Sequence, residues 1–262
     1  MPSVSNLAVG AAMAGAAASK ARHQMNESIA RLSTGIRSMY GGDAAGQSIA
    51  NMIGAKGKSF AVASRNLEDG ISYLQAAESV LLEMAALATR LRELGTQYNN
   101  VALMTSFDQV ALNNEAAAIG DTMDAIQTNM KFNGVFLVGA SHKFQIGIND
   151  ASSTLTIGVN QTIGVLNTIT GANGADASAD TVIGHIAKAL GNVAAGMAGL
   201  KGAQAVAANS AANLNAAAAR IQDTDYALET AALTKAAILN QSAMAMVAQA
   251  NDAQQSILTV IQ

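Results

Sequence analysis

The last thirty or so residues place the tightest limits on what this chain can fold into. From Ala232 onward an apolar residue recurs every three or four positions: Ala232, Ala236, Leu239, Ala243, Met246, Ala250, Ala253, Ile257 and Val260. That is heptad spacing, the mark of a helix seam. A second stripe lies beside it at Leu233, Ala237, Met244, Val247, Leu258 and Ile261. Beyond Lys235 the only charged side chain is Asp252. Burying each large seam residue is worth about 1.5–3 kcal/mol. Fixing each backbone unit costs about 1–2 kcal/mol, partly offset by hydrogen bonds. One buried seam is too little to order this helix, whereas two are enough, and a helix apolar on two sides needs more than one neighbour.

The start of the chain offers one such neighbour. Leu7, Ala11, Ala14, Ala18, Ala21, Met25, Ser28 and Leu32 form a second heptad seam. Both terminal segments are nearly uncharged, so a monomer must show one of them to water, and self-assembly is the favoured reading. A hairpin buried inside a monomer is the alternative. Residues 4–19 carry no charge, but Lys20 and Arg22 follow them and no basic residue precedes them. That order is the reverse of a secretory leader. The stretch is also short and too weakly apolar for a membrane span.

Composition narrows the rest. Hydrophobic residues make up 50% of the chain, yet aromatics are 3% and charged residues 13%. Alanine and aliphatics therefore supply the apolar surface, which fits long helices better than an aromatic-rich globular core. The single proline, Pro2, leaves those helices uninterrupted. With no cysteine there is no disulfide framework and no thiol chemistry. A net charge of −3 gives no electrostatic footprint for nucleic acid.

The helical pattern breaks at Gly41-Gly42-Asp43 and resumes from Ala44 to about Lys131 with few interruptions, Gly70 marking a local junction. Ile71, Leu74, Ala77, Leu81, Met84, Leu87 or Ala88, and Leu91 share one stripe. The period changes after Phe132, where Asn133-Gly134 signals a hairpin. Phe144, Ile146 and Ile148 alternate with polar or glycine positions, as do Leu155, Ile157 and Val159 after a turn. Residues 165–181 read as a loop, and helix returns from Val182 to Ile261. The expected fold is mainly α. The N- and C-terminal segments form a long coiled-coil hairpin, with a small β-hairpin region in the middle.

No catalytic constellation stands out. His23, His142 and His185 are far apart, and none sits in a metal-ligating pattern. The run from Gly54 ends in Gly57-Lys58-Ser59, as a phosphate-binding loop does. However, Met52 occupies the first required glycine position, and the run lies in a helical stretch with no strand before it. No nucleophile elbow is present. No enzyme activity, metal or cofactor is expected.

Five blocks of sequence then carry a resemblance. Residues 28–54, SIARLSTGIRSMYGGDAAGQSIANMIG, are similar to the N-terminal signature of bacterial flagellins. Residues 63–72 (ASRNLEDGIS) resemble another block of that family, as do Leu91-Arg92-Glu93-Leu94 and Phe132-Asn133-Gly134-Val135. Residues 220–227 (RIQDTDYA), with Gln249-Ala250-Asn251 and Ile257-Leu258, resemble its C-terminal signature. The chain departs from the family pattern at Gly42-Asp43, where two acidic residues are usual, and at Ser38-Met39, where Ile-Asn is usual.

The resemblance implies a structural subunit that polymerises into the flagellar filament used for swimming. It implies export unprocessed and unfolded, to the cell exterior, and terminal helices that order on assembly. Residues 1–40 and 224–262 would form the coiled coil of an inner tube. Residues 41–223 would form a helical shell, with an excursion over about 132–181 too short for an outer domain. The residues expected at the assembly seam are Leu7, Met25, Leu32, Leu233, Leu239, Ala243, Met246, Ala250, Ile257 and Val260. The implied partners are further copies of the chain, an export chaperone, a cap protein and hook-junction proteins. Arg90, Leu94 and Gln97 match the motif bound by a vertebrate Toll-like receptor, although packing between subunits is the first reading of that segment. A hook–filament junction protein is the nearest alternative. A membrane-associated coiled-coil or pilus-like subunit is a more distant one.

Overall fold

The computed structural model describes residues 2–37, 43–139, 142–145, 154–158 and 169–261. Five long helices dominate: α1 (Pro2–Thr34), α2 (Ala44–Tyr98), α3 (Ser106–Asn129), α4 (Ala175–Gln222) and α5 (Tyr226–Ile261). Two small antiparallel sheets lie between α3 and α4 in sequence. β1 (Lys131–Phe132) pairs with β2 (Val135–Phe136), and β3 (His142–Gln145) pairs with β4 (Thr154–Ile157). Gly41 and Gly42 of the expected break, Ile146, Ile148 and Val159 of the expected strands, and 165–168 of the expected loop lie outside the described residues.

The chain divides into two compact units, 1–55 with 214–262 and 56–213. In the terminal unit α1 packs antiparallel on α5, their facing residues running in opposite directions along the pair.

The central unit is closed by large residues. Leu67, Leu74, Leu81, Met84, Leu91 and Leu94 of α2 are buried with Met123 of α3 and with Val182, Ile186 and Leu200 of α4. They form one continuous hydrophobic cluster. The stripe from Leu74 to Leu91 turns inward, with Ala88 fully buried and Leu87 only partly so. Gly95 lets α4 come close, because a Cβ there would collide with the backbone of Asp176.

Two boundaries differ from the sequence expectation. Gly70 lies within α2, and the interruption falls instead at Asn99–Thr105, around a 3-10 turn at Val101–Leu103. The physical cause is the start signal of α3. The Thr105 side chain accepts from the Asp108 amide at 3.3 Å, and the Asp108 carboxylate accepts from the Thr105 amide at 2.9 Å. This reciprocal pair begins a new helix. Helix α4 starts at Ala175, inside the stretch expected to be loop, because Ala175 and Ala179 are buried against the core. Its small polar residues, Asp176, Ser178 and Asp180, occupy the exposed or half-exposed side.

The hairpin at Asn133-Gly134 is present, with φ of 49° and 81° at its two central residues. Those left-handed values are what a tight two-residue turn requires and what Asn and Gly supply. Tyr73 fixes it to the core by donating a hydrogen bond to the Phe136 carbonyl at 2.8 Å. Burial raises the Tyr73 pKa, so the phenol keeps the proton it donates.

Candidate assembly interface

The inner seam of the terminal unit is made of small side chains. On α1, Ala14, Ala18, Ala21 and Ser28 are buried, and Ala11, Met25 and Leu32 are half-buried. These positions are the heptad read from the sequence. On α5, Ala236 and Ala243 are buried, while Leu233, Asn240, Val247 and Ala250 are half-buried. The α5 line therefore passes between the two sequence stripes, taking Ala236, Ala243 and Ala250 from one and Leu233 and Val247 from the other.

Fit explains that choice. Turning the narrowest face of α5 toward the alanines of α1 lets two backbones approach closely and gain dispersion contacts over their length. Asn240 is tolerated in the seam because the Arg22 guanidinium donates to its Oδ1 at 3.4 Å. The same guanidinium reaches the Met244 sulfur at 3.4 Å.

Several large residues consequently face outward. Leu239 is 47% exposed, Met246 66% and Met13 69%. Val9, Ile29, Leu228, Ile238 and Met244 are exposed as well. A groove of about 670 Å³ runs along the α1–α5 pair, with Met13, Ala17, Lys20, Lys235, Leu239 and Met246 among its lining. Of the expected seam residues, Ala243 is buried and Met25, Leu32, Leu233 and Ala250 are half-buried in the α1–α5 contact. Leu239 and Met246 stand on the open face. The side chains of Leu7, Ile257 and Val260 lie outside the described residues.

Periodicity does not reveal the joint at the foot of the hairpin. Gly35, at φ 72°, ends α1, and its carbonyl accepts from the Thr224 amide at 2.9 Å. The Arg37 amide donates to the Gln222 carbonyl at 2.8 Å, and Ile36 bridges Asp223. Arg31 pairs with Glu229 at 3.4 Å and with Glu27 at 3.8 Å. Asp225 starts α5 by accepting from the amides of Ala227 and Leu228. The signals that mark this joint are the glycine after a Ser-Thr helix end and the Asp-Thr-Asp run, both turn chemistry rather than periodicity.

In the central unit the three residues of the receptor-like motif separate. Arg90 and Gln97 are exposed, whereas Leu94 is fully buried in the core. Arg90 is engaged by Glu115 at 2.7 Å and by Glu93 at 3.1 Å, bonds that favour its charged form. A different exposed patch stands at the α2–α3 junction, where Val101, Leu103, Phe107 and Val110 all face solvent.

Among the described residues, no group of three or more His, Asp or Glu side chains is placed to hold a metal ion. No described helix is long and apolar enough to cross a membrane.

Two family models match the chain, the bacterial flagellin N-terminal helical region over residues 4–143 and the bacterial flagellin C-terminal helical region over residues 177–261. Flagellin of Bacillus subtilis is 31% identical, covering 88% of this chain and 90% of its own length. A flagellin of Treponema pallidum is 31% identical over 91% of this chain and 92% of its own. The flagellar filament 33 kDa core protein of Treponema phagedenis is 30% identical over 90% and 92%.

Proposed function

The chain belongs to the bacterial flagellin family, and on that premise we propose how its two units share the work of a filament. The protein is a structural subunit that polymerises with copies of itself into the flagellar filament. The junction-protein and membrane-associated alternatives are not favoured. In our reading, residues 1–40 and 224–262 build the inner tube and residues 41–223 the surrounding shell, in a filament without outer domains.

One observation carries this reading. The α1–α5 pair spends its small residues on itself and leaves Met13, Leu239 and Met246 on an open face. An isolated subunit gains little by ordering such a pair, because alanine burial returns far less than burial of leucine or methionine. Copies of the chain covering that face supply what is missing, so the terminal unit orders as the filament grows. Leu239, Met246 and the outer part of the seam are then contacts between subunits. Ala243 and Ala250 set the spacing within each.

Export to the cell exterior as an unfolded chain follows from the same reading, with an export chaperone, a cap protein and hook-junction proteins as partners along the way. The lack of cysteine is compatible with that passage. Recognition by a vertebrate Toll-like receptor would rest on Arg90 and Gln97, with Leu94 supporting them from the core. The chain acts without catalysis or a cofactor.

The test is direct. Purified subunit is given filament fragments or precipitating salt, then examined by electron microscopy and limited proteolysis. The expected result is long tubes in which residues 226–261 become protected. Subunits that never elongate would falsify the reading.

A further inference from the structure

Methionine sulfur is distributed unevenly over the protein. Met84 and Met123 are sealed in the central core, whereas Met13 and Met246 are the most exposed methionines among the described residues. Those two belong to opposite ends of the sequence, yet both line the groove between α1 and α5. The Arg31–Glu229 contact sets the pairing of the two helices and puts Met13 opposite the turn that carries Met246. Met244, two residues away, is exposed as well, but its sulfur accepts a hydrogen bond from the Arg22 guanidinium at 3.4 Å. Among the described residues no donor engages the sulfur of Met13 or Met246.

An open thioether is a nucleophile toward peroxides. A sulfur lone pair attacks one oxygen of hydrogen peroxide, the O–O bond breaks and an S–O bond forms. The second oxygen leaves as water, so the sulfur is oxidised and the peroxide reduced. The Arg22 cation draws on the lone pair of Met244 and slows that attack, and nothing comparable protects Met13 or Met246. The product is a polar sulfoxide, whose oxygen needs a hydrogen-bond donor once it is covered. Around Met13 the groove offers Gly10, Ala14 and Ala17, none with a side-chain donor. Beside Met246 it offers the single hydroxyl of Ser242. Lys20 and Lys235 stand toward the other end, about two turns of α1 from Met13 and about three turns of α5 from Met246.

We propose that Met13 and Met246 form a peroxide-sensitive modification site, whose oxidation to sulfoxide withdraws the free subunit from polymerisation. The proposal rests on the filament reading above, because copies that cover the groove both require an apolar surface there and shield the two sulfurs. The site is therefore open before assembly and closed after it. Leu239 lines the same groove but has no such chemistry. Methionine supplies an apolar contact that an oxidant turns polar in place. The change is reversible: a dithiol reductant takes the oxygen off as water, becomes a disulfide and recovers the thioether.

The experiment treats the full chain with hydrogen peroxide until part of the molecules are modified, seeds it with filament fragments and separates polymer from subunit by sedimentation. Peptide mass spectrometry then reads the sulfoxide at each methionine in pellet and supernatant. Sulfoxide at Met13 and Met246 should be about tenfold richer in the supernatant, because a covered oxygen there lacks a donor. In the starting mixture both should be modified ahead of Met244, with Met84 and Met123 untouched. Methionine sulfoxide reductases A and B with dithiothreitol should return the supernatant chains to the pellet. The double variant M13L/M246L should polymerise after the same peroxide dose as well as it does before. Equal sulfoxide at the two sites in pellet and supernatant overturns the proposal. So does modification of Met84 or Met123 as early as that of Met13, or a double variant that peroxide disables as it does the parent. Untreated parent chains that form no polymer overturn the filament reading itself, a result distinct from these.

Discussion

The central unit and the terminal unit use the same kind of helix to opposite ends. In residues 56–213 the heptad stripe of α2 carries leucine and methionine, and those side chains point inward. Among the described residues, the largest fully buried side chains all fall between Leu67 and Leu200. In the α1–α5 pair the buried residues are alanine and serine, while Met13, Leu239, Met244 and Met246 point out. Hydrophobic pattern alone therefore does not say what a helix buries against. Residue size decides whether a seam closes a unit by itself or leaves it to be completed by other chains.

The strongest challenge to this contrast is to open the closed unit. Leu81→Ala or Leu91→Ala removes a fully buried side chain from the α2 stripe and should destabilise the free subunit by about 2–5 kcal/mol. Urea unfolding of the monomer measures it. A loss below half a kilocalorie per mole would mean that the central core does not carry the stability of the free chain.

Ala243→Asp puts a charge into the α1–α5 seam. Polymerisation should be abolished, while the urea midpoint of the central unit stays within experimental error. Filaments of ordinary appearance would show that the seam does not form as described.

Met246→Ser and Leu239→Ser sharpen the contrast from the outside. Both residues are exposed in the subunit, so monomer stability should change by no more than about 0.5 kcal/mol. The critical concentration for polymerisation should nevertheless rise severalfold. Equal effects on monomer and polymer would place these side chains inside the subunit.

Thr105→Ala is the mildest. It removes the start signal of α3 and should cost about 1 kcal/mol. The Thr105 hydroxyl and amide hold the Asp108 carboxyl below its ordinary value. A folded-state pKa lower than the unfolded one stabilises above the unfolded value and loses that contribution as pH falls through the folded value. The variant should therefore lose less stability on acidification than the parent does, as read from paired melting curves at neutral and acid pH.

Much of this is legible from residues alone. The α1 heptad, the α2 stripe and the Asn133-Gly134 hairpin are local patterns, and local patterns survive folding when nothing opposes them. What escapes such a reading depends on fit across distance. The face α5 turns to α1 is set by how closely two backbones can approach, and one helix's sequence does not contain that. The break before α3 comes from a single reciprocal cap at Thr105 and Asp108, which a stripe search passes over. Leu94 sits in a motif that reads as surface, yet the phase of α2 turns it into the core.

The joint at Gly35 and Thr224 has a consequence in time. A ribosome makes α1 before α5, so α1 has nothing to pair with until residues 226–261 have been made. The hydrogen bonds from Thr224 to Gly35 and from Arg37 to Gln222 can form only then. A chain cut short anywhere before residue 222 lacks both the clasp and the helix it holds, and leaves its first segment unpaired. The pairing of α1 thus waits on α5, and the surface they form together is there for other copies to join only once both have been made.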